Sequence, residues 1–180
     1  MTRDEQRAAG KAARRGLSPQ ERAAFSRAIV EAIAASEEWK QAKTVLSYRA
    51  VGAEADLSGL ETYAAAEGKQ LCYPLCTAPG EMIALLPLSA ESWHVGSFGI
   101  TEPLRERSRE LSPEELDLVL CPCTAFDSAG RRMGMGGGYY DRYLPLCKNA
   151  RITAVAFSAQ GCDELASEPW DVPMERVFTE

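Results

Sequence analysis

The sequence predicts an α/β fold in three layers: a mostly parallel β-sheet with helices on both faces. Three observations predict it. Apolar runs of strand length alternate with segments of helical spacing, and that alternation builds parallel sheets covered on both sides. Leu116–Leu120 is strongly apolar and short, as a buried parallel strand is. It leads through Pro122 and Phe126 into a loop crowded with glycine. In open parallel sheets ligands sit beyond the C-terminal strand ends, and this loop falls there.

Residues 1–36 read as two helices broken near Gly16. The second opens with the capping-box signature Ser18-Pro19-Gln20-Glu21, with Pro19 at the first helical position. Phe25, Ile29 and Ile33 then recur every fourth residue beside Ala28 and Ala32, forming one apolar face. The arginines of the first helix read mostly as a solvated face. Thr44–Tyr48 is a buried strand, followed by a polar loop with Glu54 and Asp56. Leu57, Leu60, Tyr63 and Ala64 have helical spacing, and Gly68 stops that helix. Gln70–Tyr73 is a second strand ended by Pro74. Met82–Leu86 is a third, after the turn Ala78-Pro79-Gly80. Trp93–Pro103 reads as ordered loop, with Trp93 and Phe98 as anchors rather than ligand platforms. Tyr139–Leu144 begins a helix that Pro145 limits. Ile152–Phe157 and Arg176–Phe178 are the last strands. No repeat, linker or low-complexity tract appears, so residues 1–180 are expected to form a single domain of Rossmann-like plan.

The chain carries a formal net charge of −6, so it is no general trap for nucleic acid. Anionic ligands must be met by local arginines. No apolar run approaches a membrane span. Asp4, Glu5 and Glu21 argue against a transit peptide, and no secretory h-region is present. A cytoplasmic monomer is expected. Cys72, Cys76, Cys121, Cys123, Cys147 and Cys162 contain no Cys-x-x-Cys pair, and His94 is the only histidine. That argues against a zinc site and leaves the cysteines as reduced, small core residues. A Cys–His pair or a serine triad would both need His94, and no Gly-x-Ser-x-Gly elbow exists.

The segment Arg131-Arg132-Met133-Gly134-Met135-Gly136-Gly137-Gly138-Tyr139-Tyr140-Asp141-Arg142 carries the functional signal. Glycines let backbone N–H groups turn inward and form a nest for anionic oxygens. Arginines clamp phosphate oxygens. Asp141 directly after the nest suits magnesium, which takes carboxylate, water and phosphate oxygen. Neither a Walker A loop nor a Gly-x-Gly-x-x-Gly fingerprint fits these residues.

These residues give the chain a resemblance to the 5-formyltetrahydrofolate cyclo-ligase family. The match comprises Pro122, Phe126-Asp127, Gly130, Arg132 and Gly134 through Asp141. It extends to Gly96-Ser97-Phe98-Gly99-Ile100-Thr101-Glu102-Pro103 and to Glu54-Ala55-Asp56. The resemblance implies Mg-ATP-dependent closure of 5-formyltetrahydrofolate to 5,10-methenyltetrahydrofolate. It implies ATP contacts from Arg132, Met133, Gly134, Met135, Gly136, Gly137, Gly138, Tyr139 and Tyr140. Tyr139, Tyr140 and Asp141 become the catalytic candidates. Asp141 and, by a looser match, Asp171 become the Mg2+ ligands. Glu54, Asp56 and Tyr139 are the candidates for the folate. The family's N-terminal Lys-x-x-x-Arg is replaced by Arg3 and Arg7, with Lys11 and Arg15 as an alternative register. A non-catalytic folate- or nucleotide-binding module and a sugar-phosphate isomerase are the rival readings.

Overall fold

The computed structural model describes residues 1–96 and 99–180. Ser97 and Phe98, and the anchor role expected of Phe98, lie outside the described residues.

Helix α1 (Arg3–Gly16) starts at Thr2, whose hydroxyl accepts from the Glu5 N–H while Glu5 caps the Thr2 N–H in return. Helix α2 (Pro19–Ala35) repeats the device with Ser18 and Glu21. Each such cap is worth about 1 kcal/mol. Ile29, Val30 and Ile33 of α2 are buried, and Phe25 packs on Phe157 with ring centroids 6.3 Å apart. A short α3 (Glu37–Gln41) follows, unforeseen in the sequence, and plants a fully buried Trp39.

Strand β1 (Thr44–Leu46) leads to α4 (Leu60–Glu67), which Gly68 ends in the left-handed conformation. Next come β2 (Gln70–Ala78), β3 (Glu81–Pro87), β4 (Trp93–Val95), β5 (Thr101–Pro103) and β6 (Ser108–Leu111). Then follow β7 (Leu118–Pro122), β8 (Ala125–Asp127), β9 (Arg132–Met133) and α5 (Tyr139–Tyr143). The chain finishes with β10 (Arg151–Val155), β11 (Gly161–Cys162) and β12 (Arg176–Phe178).

The central sheet has seven strands in the order β12-β10-β7-β1-β2-β3-β6. The pairs β12–β10, β10–β7, β7–β1 and β1–β2 are parallel, whereas β2–β3 and β3–β6 are antiparallel. This is an α/β fold with a large, mostly parallel sheet. Alternate residues divide two cores. Val45, Leu118, Leu120 and Val155 meet α2, α3 and α4 on one face. Leu46, Val119, Cys121 and Ala154 meet Tyr143 and Leu144 on the other. That second cover is a five-residue helix and the 3-10 turn Leu144–Leu146, much lighter than the expected helical layer.

Three other expectations need correction. Pro74 does not end β2; it stands opposite Ala84 within the strand. The ladder to β1 stops at the Leu46–Cys72 pair, so Pro74 has a strand on one side only and its missing N–H is tolerated. Trp93–Pro103 is not all loop, because β4 and β5 pair with His94 opposite Glu102. Trp93 itself is an anchor, edge-on to Tyr73 at 4.8 Å. Finally, Cys76 and Cys162 are exposed rather than in the core, while the other four cysteines are buried and all six are free.

Candidate functional site

A cleft of about 530 Å³ opens beyond the C-terminal ends of β1 and β7. Tyr48 and Arg49, just past β1, form one wall, and Cys123 and Thr124, just past β7, form the floor beside them. The chain leaves β1 toward α4 on one face of the sheet and leaves β7 toward α5 on the other. Such divergence opens a crevice between the strands.

Gly134–Gly138, Tyr139, Tyr140, Asp141 and Arg142 line one end of the cleft. The loop is launched by the hairpin β8–β9, whose turn is held by Asp127. That carboxylate accepts from the N–H groups of Ala129, Arg131 and Leu165. Burial pushes the Asp127 carboxyl up, but these N–H groups and the Arg131 guanidinium outweigh it, and its pKa lies below the usual value. Within the loop, Gly136 and Gly138 have φ of 107° and 67°, where a side chain is strained. Gly137 has no such φ. It needs to be glycine because a Cβ would sit 2.6 Å from the Tyr139 ring. Arg7 Nε donates to the Gly134 carbonyl at 3.0 Å and Arg142 Nη1 to the Gly137 carbonyl at 3.1 Å. Among the described residues, no backbone N–H from Gly134 to Gly138 donates to a protein acceptor. The loop therefore turns its carbonyls to arginines and keeps its N–H groups free.

Arg132 is buried and donates through Nη2 to Asp141 Oδ1 at 2.7 Å, while its Nε has no partner among the described residues. The Tyr140 hydroxyl is likewise buried and unpartnered, and burial pushes its pKa well up. Arg3 grips Asp171 with both terminal nitrogens. Burial raises the Asp171 carboxyl, but Arg3 and the Glu168 N–H outweigh it and hold it below the usual range. Arg3 feels Asp171, Glu168 and Asp141 together.

The structure brings Arg3, Arg7, Arg132, Glu54 and the glycine loop to one cleft, and Arg3 connects Asp171 to it. It does not place every candidate there. The Met133 side chain is buried against Ala125 and Leu165, away from the cleft, because β9 turns it inward. Asp56 lies outside the cleft and lines an adjoining cavity of about 590 Å³. Its carboxylate accepts from the Ser58 N–H at 2.9 Å, a loop-capping role. Lys11 and Arg15 do not line the cleft; the inward residues of α1 are Arg3, Arg7, Gly10 and Arg14. A Cβ at Gly10 would overlap the Thr124 carbonyl, so glycine lets α1 seat on the floor. Arg14, Arg49, Trp170 and Glu168 were missed. The helical spacing of Arg3, Arg7 and Arg14 was the signal available for the first.

Glu54 lines the same cleft. Its Oε2 accepts from the Val51 N–H at 3.0 Å, and Oε1 lies 3.6 Å from Arg14 Nη1. Burial raises its pKa, against the Val51 N–H and Arg14. A glycine nest with free N–H groups, ringed by arginines and sharing its cleft with a buried carboxylate, has the chemistry of one class of site, the α/β anion-binding site.

Comparison with known proteins narrows the class. Residues 2–180 match the 5-formyltetrahydrofolate cyclo-ligase family, and the chain belongs to it. The 5-formyltetrahydrofolate cyclo-ligase of Escherichia coli (strain K12) is 26% identical over 170 residues, covering 92% of this chain and 93% of that protein. The enzyme of the same name from Haemophilus influenzae is 43% identical over a 79-residue stretch, 43% of this chain and 42% of that protein. Among solved structures, the 5,10-methenyltetrahydrofolate synthetase of Aquifex aeolicus superposes with a TM-score of 0.85 at 32% identity, covering 98% of this chain and 89% of that one.

Proposed function

We propose that the chain is a 5-formyltetrahydrofolate cyclo-ligase, using ATP to close 5-formyltetrahydrofolate to 5,10-methenyltetrahydrofolate with release of ADP and phosphate. One observation carries the reading: the free-N–H glycine nest and the buried Glu54 share a single cleft. Residues 1–180 are read as one domain, since both cores are built on the same sheet. The two faces make it a three-layer, Rossmann-like design.

The formyl oxygen is a poor leaving group. Phosphorylation converts it to an iminophosphate, N10 attacks the formyl carbon, and phosphate departs with that oxygen while N10 loses its proton. Such transfer depends on positioning and charge stabilisation. Gly134, Gly136, Gly137 and Gly138 would cradle the phosphates, with Arg3, Arg7 and Arg132 supplying charge. Tyr139 and Tyr140 would stand between nucleotide and folate, and Glu54 would meet the pterin. Asp56 lines the adjoining cavity and would meet the folate only if the ligand reached out of the cleft.

Magnesium fits as a shared ligand, not as a protein-caged ion. No group of three metal-ligating side chains occurs among the described residues. Asp141 and Asp171 both lie within the electrostatic reach of Arg3, and magnesium asks for only one or two carboxylates when phosphates complete its shell. Bound there, it would neutralise phosphate charge.

The test is incubation of purified protein with Mg-ATP and 5-formyltetrahydrofolate. A methenyl product absorbing in the near ultraviolet, with ADP release that depends on the folate, is expected. Unchanged substrate and no ADP would leave a binding module or an isomerase.

A further inference from the structure

Arg3, Arg7 and Arg14 share the inward face of α1, but they part company at their tips. Arg3 turns to Asp171 and Arg7 to the Gly134 carbonyl. Arg14 lies between Glu54 and Met135. Its side chain is 6% exposed, and the Glu54 side chain it approaches is 9% exposed. Nη1 stands 3.6 Å from Glu54 Oε1, and Nη2 lies 3.7 Å from Met135 Sδ. Neither Nε nor Nη1 has a hydrogen-bond partner among the described residues. Glu54 lines the cleft; Arg14 does not.

A buried arginine with two unused donors is costly unless its charge serves something. Glu54 is the carboxylate it faces. The hydroxyls and the thiol around Glu54 are neutral: burial pushes Tyr48 and Tyr140 up, and Cys123 up to about 12. Arg22, Arg49 and Asp56 line the adjoining cavity with Glu54. Among the described residues, Arg14 is the cation within 4 Å of the Glu54 carboxylate.

We propose that Arg14 is a positioning residue for Glu54, holding its carboxylate charged and aimed into the cleft. This rests on the reading of Glu54 as the pterin-facing group. A pterin presents adjacent N–H donors, which an ionised carboxylate accepts and a protonated one accepts poorly. Without Arg14, burial drives Glu54 toward its protonated form. Arg14 also ties the Glu54 wall to the helix that carries Arg3 and Arg7, so the folate and nucleotide ends of the cleft share one element.

The experiment measures binding of 5-formyltetrahydrofolate and of ATP, separately, from mildly acidic to mildly alkaline pH. The proteins are wild type, Arg14→Lys, Arg14→Met and Glu54→Gln, each checked for folding by thermal melting. Arg14→Met should weaken folate binding about tenfold or more at neutral pH, the worth of one hydrogen bond to a charged group. Its binding should recover as pH rises, so its pH profile lies to the alkaline side of wild type. Arg14→Lys should restore the wild-type profile, and ATP affinity should change little in either variant. An unshifted profile in Arg14→Met, or equal losses for ATP and folate, overturns the proposal, as does a lysine variant no better than methionine. If Glu54→Gln binds folate normally, the reading of Glu54 itself falls. If Glu54→Gln loses binding and Arg14→Met does not, only the role of Arg14 falls.

Discussion

Arg132 donates to Asp141 across 2.7 Å, from a side chain 2% exposed to one 23% exposed. These are the two residues expected to serve opposite partners, a phosphate and a metal ion. Arg3 and Asp171 repeat the relationship close by. Without ligand, each cation neutralises a carboxylate. On the proposed function, a triphosphate arriving with a divalent cation would supply both replacement partners at once, and the exchange would leave no charge unpaired.

Asp141→Asn keeps the shape and removes the charge. Turnover should fall on the order of a hundredfold, the scale for losing an electrostatic stabiliser at a reacting centre. Folate binding should change modestly. Steady-state rates across a magnesium titration check this; unchanged rates would make Asp141 a tether for Arg132 alone.

Gly137→Val should weaken ATP binding in a folded protein. The residue is exposed, so the core is not at stake. The new side chain would collide with the Tyr139 ring and crowd the nest. Calorimetry should show the loss; wild-type ATP affinity would mean the loop's N–H groups are not the anion site.

Much of the site was legible because its signals are local. The glycines, Arg132 and Asp141 lie within one short segment, and the capping boxes and the stop at Gly68 each need only a few neighbouring residues. What was not legible depends on partners distant in sequence. Strands β8, β9 and β11 are two or three residues long and exist only through pairing with one another. Arg14 reads from the sequence as solvated, since charged residues usually are. Its burial follows from Gly10 docking on Thr124, a contact no periodicity reveals. Met133 was grouped with the loop by adjacency, but a two-residue strand turned its side chain into the core.

Asp127→Asn should destabilise the protein at neutral pH by about 2 kcal/mol, the range for a buried hydrogen-bonded charge. The sign of the pH effect follows from its lowered pKa in the fold. The unfolded chain binds the proton first as pH falls, so the contribution is present above about pH 4 and lost below it. Denaturant melts should show the gap between wild type and variant closing in acid. A gap that persists or widens there would locate the stabilisation elsewhere.

The N-terminal register can be decided by two substitutions. Arg7 lines the cleft and holds the Gly134 carbonyl, whereas Lys11 does not line the cleft. A chain of net charge −6 must recruit local cations to hold a triphosphate. Arg7→Ala should therefore weaken ATP binding about tenfold or more, the value of a charge-assisted hydrogen bond, and Lys11→Ala should leave it near wild type. Terminal segments fray unless tied down, so ATP should also slow hydrogen exchange along α1 in wild type and less so in Arg7→Ala. Loss of affinity in Lys11→Ala alone would move the phosphate contacts to Lys11 and Arg15. Loss in neither would make α1 a lid that covers the cleft without touching the nucleotide.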